Sequence, residues 1–225
     1  CGKLSGGTLS ASVGGSNLSI TKTGTPVLNS SSGGGFGANA RFPTISGTTS
    51  DGFRLGNPVL PNYTFCGMAR YKDLDTGVRS TRGRIFAHAN TTNWISGWYG
   101  GGTKNFYHND WLLTYTDVGD SKWHVMCESG NRIYWDGVQQ TVTNRIATTL
   151  PPLAINWTEF GDNSNFEFTE AIVYNQALSA AQINTIFRYF ENKFGLTDIV
   201  TTSQSATRFV PPSNYASTGD TTLQA

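Results

Sequence analysis

The chain is 225 residues long with a formal net charge of +1, and only 14% of it is charged, against about 25% in an ordinary soluble domain. A hydrophobic content of 37% with six Trp and thirteen Phe excludes a disordered chain. Near-neutrality excludes a nucleic-acid binder that works by neutralising phosphates, and no apolar run approaches the roughly 18 to 20 residues of a membrane span. With 26 Gly and 12% aromatics, the composition fits an extracellular all-β domain, and the length accommodates one sandwich with a full core.

The chain opens on Cys1 without an initiator Met or signal peptide. This reads as a processed chain or a piece of a longer protein, with a lipid-bearing N-terminal Cys as one form of it. Residues 1–50 are rich in Gly, Ser and Thr. Weak alternation at 9–13 and 18–20 reads as edge strands, and the SSSGGG stretch at 30–35 as a loop. From Phe53 the strands strengthen. In YTFCGMARY at 63–71, Phe65, Gly67, Ala69 and Tyr71 share one face, and Thr64, Cys66, Met68 and Arg70 the other. Residues 72–82 are polar and turn-like, and 84–88 read as a strand. The aromatic segments WISGWY at 94–99, Phe106–Tyr107 and WLLTY at 111–115 come next.

WHVMC at 123–127 then pairs with RIYW at 132–135. Asp136–Gly137 marks a hairpin, because both residues tolerate the positive φ of a type I′ turn. Period-two alternation over 166–174 predicts Phe166, Phe168, Ile172 and Tyr174 on one face, with Glu170 beside them and able to pair with Arg70. One helix is predicted over about 180–193. Ser179 and Gln182 form a capping box, and Leu178 and Ile183 a hydrophobic staple. Ile183, Ile186, Phe187 and Phe190 form an apolar stripe to pack on the sandwich, and Gly195 ends the helix. Residues 199–225 are Ser/Thr-rich with Pro211–Pro212 and read as a linker or extended tail.

The three cysteines are Cys1, Cys66 and Cys127. Two strand positions of this kind favour buried free thiols, while a bridge between Cys66 and Cys127 would need adjacent strands in matching register. N-x-Ser/Thr sequons at Asn17, Asn29, Asn62, Asn90 and Asn156 are glycosylation candidates, at about the number that abundant Ser and Thr produce by chance.

Several motifs together resemble concanavalin A-like, laminin-G-type jelly rolls. The segment FTEAIVYNQALS at 168–179, with the helix after it ending KFGL, resembles that family's final strand, "YNxxLS" and short helix. WHV at 123–125 with IYWDG at 133–137 resembles its "WHxV…YVDG" hairpin. YTFCGMAR at 63–70 resembles its "FTxxxWVR" strand, with Met68 where Trp is common. GWYGG at 97–101 and YHNDW at 107–111 are similar to a glycine- and aromatic-rich variant of algal large viruses and marine microbes. The resemblance covers roughly residues 40–197. It implies an all-β, two-sheet antiparallel sandwich of the jelly-roll type over 1–198, with the tail 199–225 beyond it. It also implies a module that binds glycans or proteins, sometimes with calcium. Fold alone does not settle function.

Glycanases of this superfamily place catalytic carboxylates on one strand as E-x-D-x-x-E, so that alternate side chains share a face. The nearest stretches, Glu159 with Asp162 and Glu167 with Glu170, have partners three apart, which point to opposite faces of a strand. No nucleophile elbow or phosphate loop occurs, and His88, His108 and His124 lack zinc spacing. His124 reads as a hydrogen-bonded structural residue. Candidate calcium ligands are Asp73, Asp75, Asp117, Asp120 and Asp162; an EF-hand is excluded because its twelfth position is Arg84. Their other reading is solvated turn carboxylates. Arg79, Arg82 and Arg84 read as a solvated hairpin loop that could also meet an anionic glycan.

The ligand-binding candidates are Trp94, Trp98, Tyr99, Tyr107, His108, Asp110 and Trp111. Their rings could stack on the C–H faces of sugars while Asp and His serve hydroxyls; as strand residues, part of the set would fill the core instead. The expectation is a non-enzymatic glycan-binding or surface-adhesion module of a larger extracellular or virion-surface protein. Its partners would be glycans or neighbouring subunits. It would need no cofactor, though calcium is compatible. The alternative is a purely structural stalk, capsid or fibre module.

Overall fold

The computed structural model describes residues 4–5, 8–9, 12–13, 16–17, 20–31, 42–56, 60–72, 82–88, 93–114, 121–144, 146–157, 159–196 and 221–224. Strands account for most of these, and they pair antiparallel in two large sheets. In the first sheet, strands Val138–Gln140, Arg132–Trp135, His124–Ser129, Thr64–Tyr71 and Phe166–Tyr174 lie side by side. The far edge of Phe166–Tyr174 is shared. Phe42–Gly47 pairs with its first residues and Thr221–Gln224 with Glu170 to Val173. The second sheet runs Trp111–Leu113, Gly102–His108, Trp94–Tyr99, Phe86–His88, Leu153–Ile155, Gly52–Leu55 and Ile20–Thr23. The expected two-sheet sandwich with one helix is therefore the fold.

Alternation buries two separate cores. Between the sheets lie Phe65, Tyr71, Phe86, Trp98, Phe106, Met126, Trp135, Phe166 and Phe168. On the other face of the first sheet, Cys66, Met68, Trp123, Val125, Cys127 and Ile172 pack with Ile183, Ile186, Phe187, Phe190 and Phe194 of the helix. The two faces predicted for residues 63–71 are thus the two core-facing sides of one strand.

The helix spans Ala180–Phe194, one residue beyond the expected end. The capping box is complete: Ser179 Oγ accepts the Gln182 N–H and Gln182 Oε1 accepts the Ser179 N–H. Leu178 and Ile183, the predicted staple, are buried in the same cluster. At the hairpin, Asp136 and Gly137 take φ of 50° and 80°, the pair of positive values a type I′ turn requires. Asp136 then reaches back, accepting from the Val125 N–H and lying 2.8 Å from His124 Nδ1. This gives His124 its structural role.

Two strand expectations are corrected. Residues 166–174 do not alternate without interruption. Ala69 pairs with Phe168 but Met68 with Glu170, so Thr169 is an extra residue, a β-bulge that reverses the facing of the residues after it. Phe166 and Phe168 enter the inter-sheet core, whereas Ile172 and Tyr174 face the helix. Glu170 turns the same way and binds Tyr189 Oη (2.8 Å) and Lys193 Nζ (2.7 Å) of the helix rather than Arg70. Arg70 pairs with Glu167 instead.

The second correction concerns the cysteines. Cys66 stands directly opposite Cys127 on adjacent strands, with 4.1 Å between Cα atoms, and the two form a disulfide. The alternation that buries both residues also aligns them, so the free-thiol reading fails.

Candidate functional site

The candidate aromatics sit on the hairpin of Trp94–Tyr99 and Gly102–His108 and on the short strand Trp111–Leu113 after it. Register divides them. Trp98 is wholly buried between the sheets, with its ring centroid 4.9 Å from that of Trp135. Gly97 beside it has φ of 93°, and a Cβ there would lie 2.8 Å from the Trp135 ring, so only glycine admits this approach. Trp94 donates its indole N–H to Ser96 Oγ and stacks on His108 at 3.4 Å. His108 Nε2 lies 3.3 Å from Glu128 Oε2, which also accepts the Tyr63 hydroxyl. Burial, with the Glu128 carboxylate beside it, pushes the Tyr63 hydroxyl well above its ordinary range. Trp94, Trp98 and His108 are therefore core residues with no surface for a ligand.

Tyr99, Tyr107 and Trp111 turn outward. Tyr107 pairs with Ile95 on one side and with Trp111 on the other, which places these residues on the outer face of the second sheet. Trp111 is 36% exposed. Its ring centroid lies 5.1 Å from Tyr107 and 6.0 Å from Tyr99, in edge-on and tilted geometry. The turn carrying it is clamped. Trp111 N–H donates to Asp110 Oδ1 (2.8 Å), and its carbonyl accepts from Thr143 Oγ1 (3.1 Å) and Asn144 Nδ2 (2.8 Å). The next carbonyl, of Leu112, accepts the Thr143 N–H and hydroxyl. Asn109 N–H donates to Asn93 O, and His108 N–H to Asp110 O. The exposed ring is thus presented from a fixed backbone, with the exposed Asp110 carboxylate next to it.

Arg84 was expected in a solvated loop. It is instead 4% exposed, with Nε donating to Asp162 Oδ2 (2.8 Å) and Nη1 to Asn93 Oδ1 (2.6 Å). Its guanidinium lies 5.4 Å from the Tyr99 ring and 4.6 Å from the Phe160 ring. Arg82 is buried too, over Tyr71; Arg79 lies outside the described residues. Sequence reasoning missed Phe160, Thr143 and Asn144. Phe160 stood in plain view as an aromatic beside Gly161 in a polar turn, and it is 48% exposed.

The carboxylates of the two catalytic near-matches are all engaged. Glu159 pairs with Arg54, Asp162 with Arg84, Glu167 with Arg70 and Glu170 with Lys193. Of the calcium candidates, Asp162 is the partner of Arg84, while Asp73, Asp75, Asp117 and Asp120 lie outside the described residues. Among the described residues no three His, Cys, Asp or Glu side chains converge on a common point.

Of the sequons, Asn156 is removed from the glycosylation candidates. It is fully buried, donates to the carbonyls of Thr48 (2.9 Å) and Asp51 (2.7 Å), and accepts the Ser164 N–H. Asn62 is exposed. Asn90 lies outside the described residues, as do the side chains of Asn17 and Asn29. No helix among the described residues is long and apolar enough to cross a membrane.

No protein-family profile and no curated protein matches the chain. Solved structures do. Domain 4 of the extracellular arabinanase AbnA from Geobacillus stearothermophilus, in complex with arabinotriose, is 15% identical with a TM-score of 0.50; the match covers 75% of this chain and 86% of that one. The binding domain of botulinum neurotoxin DC in complex with SialylT is 14% identical with a TM-score of 0.53, covering 81% of this chain and 48% of that one. A botulinum neurotoxin type C structure, described by cell entry that depends on two ganglioside molecules, is 13% identical with a TM-score of 0.52 and coverages of 81% and 49%. The chain spans about half the length of these toxin structures. At this identity the likeness establishes a shared β-sandwich fold.

Proposed function

We propose that the chain is a non-enzymatic glycan-binding or surface-adhesion module, part of a larger extracellular or virion-surface protein of laminin-G-like type. The observation that carries the reading is the outward cluster of Tyr99, Tyr107 and Trp111 on a backbone clamped by Asp110, Thr143 and Asn144. Exposed rings held in place lose little freedom on binding and present apolar faces next to a hydroxyl acceptor. The similar structures, named with arabinotriose, SialylT and gangliosides, support the same reading. The buried disulfide supports folding in an oxidising compartment. Engagement of every carboxylate in the two near-matches supports a binding role over hydrolysis. Tyr99, Tyr107, Asp110 and Trp111 are the site. Calcium enters this proposal only through Asp73, Asp75, Asp117 and Asp120, and a melting temperature unchanged by excess chelator would remove it.

A glycan array probed with the native chain and with Trp111→Ala tests the proposal. Binding that the substitution abolishes while the melting transition persists is the expected result. A blank array for the native chain would sink the glycan reading and leave a structural module contacting protein neighbours.

A further inference from the structure

The aromatic surface does not end at Tyr99. From Tyr107 the rings step to Trp111 (5.1 Å), and from Trp111 to Tyr99 (6.0 Å). From Tyr99 the Arg84 guanidinium is 5.4 Å away, and from Arg84 the Phe160 ring 4.6 Å. These are four successive ring-scale steps, more than a single sugar ring can cover. Arg84 itself is almost wholly buried, so it does not contact a ligand. It lies against both rings, and Asp162, Asn93 and the Trp94 carbonyl hold it there. A guanidinium between two aromatic rings is attracted to both and ties them into one surface. Phe160 is 48% exposed, one of the few large apolar side chains left in water among the described residues.

The charge along this surface selects the ligand further. The Arg84 cation is balanced by Asp162. At the other end the Asp110 carboxylate is exposed beside Trp111. A carboxylated or sulfated sugar would be repelled there, whereas a neutral sugar offers hydroxyl donors to an acceptor-only group.

The geometry points to an extended site for a linear, neutral oligosaccharide, running from Tyr107 and Trp111 across Tyr99 to Phe160, with Arg84 as a positioning residue beneath it. This rests on the glycan-binding reading above and names the ligand class of the same site. Phe160 supplies the distal subsite, so it matters only for ligands long enough to reach it.

Titration calorimetry of the full chain with α-1,5-linked arabino-oligosaccharides and β-1,4-linked gluco-oligosaccharides of one to five units tests this, with sialyllactose as an anionic counter-probe. In the series that binds, affinity rises about tenfold from one unit to three, the order of one added aromatic contact, and then levels. Phe160→Ala removes that rise and leaves the single-sugar affinity unchanged. Phe160→Tyr, which keeps the ring, restores it. Trp111→Ala weakens every length. The extended site is overturned if Phe160→Ala keeps the native length dependence, or if sialyllactose binds more tightly than the neutral sugars. In those cases a loss of binding in Trp111→Ala leaves the glycan-binding reading standing. Absence of binding to either series and to the array overturns both.

Discussion

On the first sheet the face turned away from the inter-sheet core carries Cys66, Met68, Val125 and Ile172, and the helix roofs it with Ile183, Phe187 and Phe190. On the second sheet the corresponding outward face carries Tyr99, Tyr107 and Trp111, and Trp111 remains 36% exposed. Both faces arise from the same period-two alternation. They differ in what covers them. The first face mixes aliphatic groups and the disulfide with Trp123, Tyr134 and Tyr174, all buried under the helix, and its aliphatic groups have no polar handle and require that cover. Tyr and Trp combine a large apolar ring with a polar tip, so they can stand at a wet surface and still attract a partner. The roofed face serves stability, and the open face is the one proposed for recognition.

The largest test of that contrast lies under the helix. Phe187 is fully buried in the second core, and Phe187→Ala is expected to destabilise the fold by about 3–5 kcal/mol through lost burial and the cavity left behind. Chemical denaturation measures it; a loss below about 1 kcal/mol would mean that the helix is not a structural roof. Next in size is the disulfide across Thr64–Tyr71 and His124–Ser129. Its cysteines are 61 positions apart, and closing a loop of that order restricts the unfolded chain by about 4 kcal/mol in the entropic model, with about 2–4 typical in practice. The Cys66→Ala/Cys127→Ala double variant should lose that much. Reductant should lower the native denaturation midpoint toward the variant's, and leave the variant unmoved.

Fold legibility tracked local rules. The helix caps, the apolar stripe, the Asp136–Gly137 turn and the two faces of residues 63–71 are all set by spacing and residue type. What escaped the sequence was non-local. The bulge at Thr169 is invisible until the strand is paired, yet it decides that Ile172 and Glu170 face the helix. Arg84 reads as polar and solvated, because only the fold brings Asp162, Asn93 and two rings around it. The binding candidates are legible as a group, and alternation separates Trp94 and Trp98 from Tyr99 and His108 from Tyr107, but pattern alone does not say which of the two faces meets the other sheet. Phe160 escapes because its stretch stands out for carboxylates rather than for its ring.

Glu170 tests the roof through pH. Burial pushes its carboxyl above the ordinary 4.5, and Lys193 and Tyr189 pull it back only in part. The folded state therefore binds this proton more tightly than the unfolded chain does. The group's contribution to stability is fullest below the ordinary value and declines as pH rises through the raised one. Denaturation midpoints of the native chain, compared with those of Glu170→Gln, should fall relative to the variant from pH 4.5 toward neutrality. A constant difference over that range would show that Glu170 is not held in a desolvated site.

The smallest stability effect belongs to the open face. Trp111 is partly in water, its backbone is fixed by Thr143 and Asn144 rather than by its ring, and its ring partners are Tyr107 and Tyr99. Removing the ring forfeits edge-on aromatic contacts worth roughly 0.5–1.5 kcal/mol each, partly offset because the site is already hydrated. Trp111→Ala is expected to cost about 1 kcal/mol, a shift of roughly 2–4 °C in melting temperature for a chain of this size. The same substitution should weaken glycan binding at least tenfold. That expected ratio is what would separate the two faces: lost packing read as lost stability under the helix, and as lost recognition here. A melting shift as large as that of Phe187→Ala would make Trp111 a core residue and end the distinction.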